Sequence, residues 1–450
     1  MNWPNIDPLL PDLPLLFDSN AVRQRFEQQW PREWPGEGEA AASAMTVLTC
    51  RRQEINYRPA TSCLATYSMT VKQADGVSWP TIGVIEVTPR GVNQRLFVAD
   101  PALPGLAGAV DGQVMQERFN AFAGQGGQSS LIETCTATPI RYKPGARCTY
   151  RYDLRTAAGT ASYFGKVVAR HSAELWATIV TLDQTSQQPT DAALAQALPR
   201  IASPLVYWPE LQMVVQAAVA GAELHNAAFD KQFPEALRVE WLRAAGRTSA
   251  ALHGLAGHGS PAAALFAERA LPQPTLLDDL ADLAEYCPAI RQANPGLADW
   301  FETVIAAITA LCRHEREVTP VLSHGALRTD QFMLAAGYGA NDTGRNDRLA
   351  LIDLDGVCWA NPARDLGNFL AYLTWKAMRQ PDHAAFIQQA QQAFLAGYAA
   401  LGALPDQEWI ALYQAASLLK ILGRRYTGLT VQEWPLTEQL LKQAVQLVQL

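Results

Sequence analysis

Two short stretches carry most of the side chains that could do chemistry. The first, VLSHGALRTDQFML (321–334), is a polar, turn-rich knot between hydrophobic flanks. The second, LALIDLDGVCWANPARDLGNFLAYL (349–373), brings three aspartates in close succession, Asp353, Asp355 and Asp365. Carboxylates together with an amide oxygen such as that of Gln331 are donors for a hard divalent cation. Far upstream, Lys166 lies mid-strand in YFGKVVA, where a lysine among apolar residues needs a reason. Phosphoryl transfer to a hydroxyl uses a lysine on the phosphates, acidic or amide oxygens on magnesium, and a carboxylate that receives the hydroxyl proton. The first two parts have candidates here.

The elements that must position these residues differ between the two halves of the chain. TCRRQEINYRPATSCLATY (49–67) aligns without gaps on TCTATPIRYKPGARCTYRY (134–152) at an offset of 85 residues, with Thr49/Thr134, Cys50/Cys135, Ile55/Ile140, Tyr57/Tyr142, Pro59/Pro144, Cys63/Cys148 and Tyr67/Tyr152 identical. Such self-similarity predicts a duplicated supersecondary unit. Each copy reads as strand, tight turn at proline, strand, then a glycine turn into a third strand, TIGVIEV (81–87) or SYFGKVV (162–168). Aligned through that glycine turn, which differs in length between the copies, Lys166 of the second stands opposite Glu86 of the first. Helices are expected at 111–123 and 172–184, and a strand pair within 204–219. From there 3.6-residue periodicity dominates, with helices over 233–255, 276–286, 297–316, 383–401, 406–426 and 436–450.

Composition narrows the function. At 450 residues the chain suits two or three packed lobes, and 49% apolar residues can bury a large core. A net charge of −7 and the absence of a Lys/Arg cluster in sequence argue against nucleic-acid binding. No apolar run reaches the roughly 18 residues of a membrane span. The proline-broken start lacks a basic segment and does not read as a secretory signal. Seven cysteines, none in a CxxC, argue against a disulfide framework or a zinc site, and the duplicated ones read as small buried hydrophobes. A cytoplasmic location, with no membrane partner, is the expectation.

The pair SHGALRTDQFML and LIDLDGVCWANPARDLGNFLAYL resembles the active-site loops of the aminoglycoside phosphotransferase / choline kinase-like superfamily. Its pattern is H-G-D-x-x-x-x-N, a hairpin, I-D-[FWL]-[DEG], then D-P-A-x-D-L-A, and here AAGYGANDTGRND stands as the hairpin. The likeness spans roughly residues 130 to 400 and implies an α+β, bilobal, protein-kinase-like fold. Residues 1–130 would be an extension or cap with the first β copy, 131–218 the β-rich N-terminal lobe, and 219–450 a helical C-terminal lobe. It also implies roles. His324 opens the catalytic loop, Ala326 stands where the base aspartate belongs, and Asp365 anchors the loop backbone. Gln331 takes the place of the metal-binding asparagine, and Asp353 that of the Mg²⁺-binding aspartate. Lys166 is the implied phosphate lysine, with Glu174 as its helix partner. The turn 142–147 would cover the nucleotide, and the stretch 214–224, with Gln216, would be the hinge that meets adenine.

The resemblance therefore implies ATP and Mg²⁺ as cofactors and a small-molecule hydroxyl as acceptor, of a kind the sequence does not name. With Ala326 in place, three readings stand. The leading one is a pseudokinase that retains nucleotide binding and acts through a protein partner. The second is an active phosphotransferase carrying an Asp-to-Ala change at 326 made in the laboratory. The third is a kinase with rewired chemistry, in which Asp330, four residues on, could serve.

Overall fold

The computed structural model describes residues 6–30, 45–73, 76–125, 131–187, 197–257, 263, 266, 271–312, 318–335 and 349–449. Residues 336–347 of the hairpin expected over 335–347, and the end of the helix expected over 297–316, lie outside the described residues. The chain divides into two compact units, one of residues 1–176, 204–218 and 427–429, the other of 177–203, 219–426 and 430–450.

The first unit begins with helix α1 (Ser19–Gln28) and a four-stranded antiparallel sheet, β1 (Thr46–Arg58), β2 (Ser62–Lys72), β3 (Ser78–Thr88) and β4 (Gly91–Leu96), in that order. Helices α2 (Leu106–Val110) and α3 (Gly112–Gln125) follow, and then β5 (Ile132–Lys143), β6 (Arg147–Thr156) and β7 (Gly159–Val168). Helix α4 (Ser172–Ser186) starts in this unit. After β8 (Arg200–Ile201), which belongs to the other unit, β9 (Pro204–Trp208) and β10 (Met213–Ala217) complete a sheet of order β5-β6-β7-β10-β9.

The expected duplication is present and reaches further than the matching strands. Thr149 pairs with Lys166 as Leu64 pairs with Glu86, so the register confirms that these two charges are equivalent. The helices that precede each sheet are also copies. Asp7, Pro8, Leu10, Pro11, Leu13, Asp18, Arg25 and Phe26 recur as Asp100, Pro101, Leu103, Pro104, Leu106, Asp111, Arg118 and Phe119, at an offset of 93. Their hydrogen bonds recur too. Asp18 caps α1 through the amides of Asn20 and Ala21, as Asp111 caps α3 through those of Gln113 and Val114. Tyr67 donates to the Leu16 carbonyl, and Tyr152 to that of Ala109. On one face of each sheet the alternating apolar residues are buried, as with Cys148, Tyr150, Tyr152 and Leu154 of β6. Cys63 and Cys148 are buried as expected, whereas Cys50 and Cys135 are half-buried.

The second unit is mostly helical. Strands β11 (Gly221–Glu223), β13 (Phe332–Ala335) and β14 (Ala350–Leu351) join β8 in one small sheet; β12 (Val321–Ser323) and β15 (Cys358–Ala360) form another. Around them lie α5 (Leu224–Phe229), α6 (Glu235–Gly254), α7 (Leu276–Leu283), α8 (Cys287–Ala293), α9 (Pro295–Leu311), α10 (Ala363–Arg379), α11 (Ala384–Ala399), α12 (Gln407–Thr427) and α13 (Thr437–Leu447). Helices α6 and α11 touch backbone to backbone. A Cβ on Gly246 would fall 1.9 Å from the Phe394 carbonyl oxygen, and one on Gly397 1.9 Å from that of Arg243. The result is an α+β protein, β-rich first and helical second. Among the described residues no helix is long and apolar enough to cross a membrane.

Candidate active site

Within the helical unit the two chemically dense stretches are joined by their backbones. Phe332 pairs with Leu351 across β13 and β14, and the Ile352 amide donates to the Gln331 carbonyl at 3.0 Å. His324 is fully buried and its Nε2 donates to the Ile352 carbonyl at 3.0 Å. Gln331 and Asp353 are thus held on adjacent chain segments. Gln331 is 3% exposed, and its Oε1 finds no hydrogen-bond partner among the described residues. An orphaned buried oxygen of this kind costs free energy unless something fills its lone pairs, and a cation would do so.

Asp353 lies two residues beyond β14 in the left-handed region, at φ 60° and ψ 51°. That conformation is uncommon outside glycine, although aspartate and asparagine adopt it more readily than other residues, and it recurs at functional loops. The strand does not continue through Asp355, which sits in the 3₁₀ turn Leu354–Gly356.

Helix α10 holds the loop along one face. Asp365, fully buried, accepts from the His324 amide at 2.7 Å and the Gly325 amide at 2.9 Å. Asn368, one turn on, donates to the Leu327 carbonyl at 2.9 Å. Tyr372, another turn on, lies under the Arg328 guanidinium, 4.8 Å from its ring centroid. Lys376 donates to His225 Nε2 at 3.2 Å, and His225 Nδ1 donates to the Thr329 hydroxyl at 2.7 Å. The spacing 365, 368, 372, 376 is that of a single helical stripe. Gly325 is required where it stands: its φ is +81°, and a Cβ there would lie 2.1 Å from the Gly356 carbonyl oxygen.

The Asp365 clasp continues inward. His253 of α6 lies 3.2 Å from Asp365 by Nε2 and 2.9 Å from the Tyr398 hydroxyl by Nδ1. Its Nε2–H donates to the carboxylate. Burial works to raise the Asp365 pKa, but the hydrogen bond and charge of His253, with His324 and its amide, outweigh it and hold the carboxyl below its ordinary value. Sequence reading missed His253, Asn368, Tyr372 and His225. Only the helical period running back and forward from Asp365 could have pointed to the two on α10.

Ala326 is exposed, with Gly325 and Leu327 fixed on either side of it. Asp330, considered as a substitute acid, is ion-paired with Arg328 at 3.0 Å. The remaining expected residues belong to the β-rich unit or its edge. Lys166 is half-buried on β7, and Gln216 on β10. Because Lys166 pairs with Val214 and Phe164 with Gln216, both side chains leave the sheet on one face. Glu174 is exposed at the start of α4, 3.5 Å from the His171 ring. In the turn expected to cover a nucleotide, the Gly145 amide already donates to Asp100 at 2.6 Å, beside the Tyr142 hydroxyl on the same oxygen. Glycine at φ +70° keeps this turn tight, but that amide is not free for a phosphate.

Among the described residues no cluster of three or more His, Cys, Asp or Glu side chains could hold a metal by itself. A pair of oxygen donors completed by a ligand's phosphates fits Mg²⁺, which usually keeps few protein ligands. Gln331 and Asp353 fit that description.

Comparison with known proteins gives a family and distant structural likenesses. The profile of the phosphotransferase enzyme family matches residues 166–404, more than half of the chain. No curated protein sequence matches. Solved structures that resemble the chain include an amicoumacin kinase in complex with AMP-PNP, Ca²⁺ and its ligand, at 14% identity and a TM-score of 0.46, covering 68% of this chain and 87% of that one. A point mutant of an aminoglycoside 2'-phosphotransferase with GDP has 12% identity and a TM-score of 0.43, covering 73% and 97%. An aminoglycoside phosphotransferase from Streptomyces rimosus has 17% identity and a TM-score of 0.41, covering 68% and 98%.

Proposed function

The chain belongs to the phosphotransferase enzyme family, and from that premise we propose that it is a catalytically impaired member which keeps a nucleotide–Mg²⁺ site. One observation carries the reading: the loop around Ala326 is fully held, by Asp365, Asn368 and the Ile352–Gln331 bond, while its central position has no proton acceptor. Gln331 Oε1 and the Asp353 carboxylate would hold the cation, and Lys166 of the β-rich unit is the lysine that the resemblance assigns to the phosphates. A bound Mg²⁺ supplies charge neutralisation on those phosphates. The protein's own part is to fix the two oxygens and the loop rigidly. What it lacks is a group at 326 to orient an acceptor hydroxyl and receive its proton. General-base help is worth about 10² to 10⁴ in rate. Such a protein acts by binding, through a protein partner, and not by turnover.

An active phosphotransferase bearing an Asp-to-Ala change is the second reading. It is favoured by the exposure of Ala326 in an otherwise braced loop, where an aspartate fits without displacing a packed neighbour. Ala326→Asp is the discriminating experiment. With ATP–Mg²⁺ and a panel of hydroxyl acceptors, the chain as it stands should show no ADP release above background, and the variant should gain at least 10²-fold. Robust turnover by the unmodified chain would end the impaired reading. No melting shift with ATP–Mg²⁺ in either protein would end the nucleotide site as well.

A further inference from the structure

Beside the catalytic loop, on a chain whose net charge is −7, the helical unit gathers cations. Arg328 comes from the loop itself, Lys376 from α10, and Lys420 and Arg424 from one face of α12, four residues apart. Tyr372 stands among them. The Arg328 guanidinium lies 4.8 Å from its ring centroid, and Arg424 Nη1 donates to its hydroxyl at 3.0 Å.

Some of this charge is answered. Arg328 pairs with Asp330 at 3.0 Å, Arg364 with Asp279 of α7 at 2.7 Å, and Arg379 and Arg425 share Glu433 at 2.8 and 2.6 Å. No described ion pair joins Lys376, Lys420 or Arg424 to a carboxylate. Asp279 acts on Lys420 only at longer range, alongside the opposing effects of Arg424 and Arg364. Donors are also in excess: Nε of Arg328 and Nη1 of Arg364 are buried and meet no acceptor among the described residues.

The titrating groups report the same field. Burial first, and neighbouring cations second, bring Lys420 and Lys376 below their ordinary values. Burial works to raise the Tyr372 phenol, yet Arg424 and Arg328, with Arg425, overcome it and bring the phenol down. Like charges held this close destabilise a fold unless a counter-ion joins them.

We propose that this cluster receives an anionic group, a phosphate or carboxylate, on the acceptor molecule, so that the ligand of the site is an anionic hydroxyl compound and not a polycation such as an aminoglycoside. The assignment rests on the phosphotransferase reading for the word acceptor, and on the cluster alone for the word anionic. Guanidinium and ammonium donors around a phenol suit a phosphate or carboxylate through charge-assisted hydrogen bonds.

Calorimetric titration of the full chain with glycerol 3-phosphate, inorganic phosphate, ADP and neamine, at low salt, tests it. Glycerol 3-phosphate and phosphate should bind and neamine should not. Arg424→Gln and Lys420→Met should each weaken the two anions at least tenfold. Both variants without ligand should melt at or above the temperature of the parent, because each removes a crowded like charge; a merely structural Arg424 would instead lower stability and leave anion affinity alone. Neamine binding in place of the anions, or equal anion binding by parent and both variants, overturns the proposal. An Arg424→Gln loss seen with ADP but not with glycerol 3-phosphate transfers the cluster to the nucleotide's own phosphates and overturns it too. A chain that takes glycerol 3-phosphate but not ATP–Mg²⁺ keeps the anion site and loses the phosphotransfer reading, so the two fail separately.

Discussion

A turn pinned by a buried carboxylate occurs in each unit, at Asp100 in the first and at Asp365 in the second, and the two serve different ends. Asp100 holds the turn between β5 and β6 through the Tyr142 hydroxyl and the Gly145 amide. Asp365 holds the loop before Ala326 through the amides of His324 and Gly325. The Asp100 clasp has a twin. Asp7 accepts from the Tyr57 hydroxyl at 2.9 Å and the Ala60 amide at 2.7 Å in the first copy, where Glu86 stands in place of Lys166. A device kept in a copy that lacks the lysine is a device for holding a β turn. Among the described residues the Asp365 clasp has no twin, and it is backed by His253 and Tyr398. Repetition without the chemical residue marks scaffold; a single, deeply braced clasp beside an exposed gap marks a site.

The largest effect that could break this contrast lies at Asp365. Removing the carboxylate strands two buried amides and the His253 ring, and Asp365→Ala should cost about 3–5 kcal/mol, as breaking a buried pair does. Urea melts measure it; a loss below 1 kcal/mol would mean the loop is held by something else. The pH dependence has a definite sign. The Asp365 pKa is depressed in the fold, so its contribution is fully present above the unfolded value of about 3.9 and is lost as pH falls through the folded value. Asp365→Asn should flatten the stability profile in that acid range.

Next come the paired clasps. Asp100→Ala and Asp7→Ala should each cost roughly 2–3 kcal/mol, from a phenol and an amide left unsatisfied in buried surroundings. Near-equal losses in chemical melts would sharpen the scaffold reading. If Asp100→Ala instead raised affinity for ATP–Mg²⁺ by freeing the Gly145 amide, the second copy's turn would be more than scaffold.

The smallest expected change in stability is at the equivalent charges. Lys166→Glu and Glu86→Lys should each alter it by under about 1 kcal/mol, as half-buried strand positions usually do. Only Lys166→Glu should reduce the melting shift given by ATP–Mg²⁺. An equal reduction from Glu86→Lys would erase the chemical difference between the copies.

Much of this was legible in the sequence because it depends on local pattern. The strand repeat set the register that places Lys166 opposite Glu86, and 3.6-residue periodicity located α6, α7, α9, α11, α12 and α13 but passed over α5, α8 and α10. His324-Gly325, Gln331 and Asp353 stood out by residue type and order. The duplicated helix was also written there, but its offset is 93 where the strands give 85, so a comparison at one fixed offset passes over it. Which atoms meet was decided by the tertiary structure alone. The partnership of Asp7 with Tyr57, of His253 with Asp365, and of Arg424 with Tyr372 joins residues 50, 112 and 52 positions apart. Periodicity carries no information over such separations; packing brings those groups together, and burial then makes each unpaired charge or amide costly enough to matter.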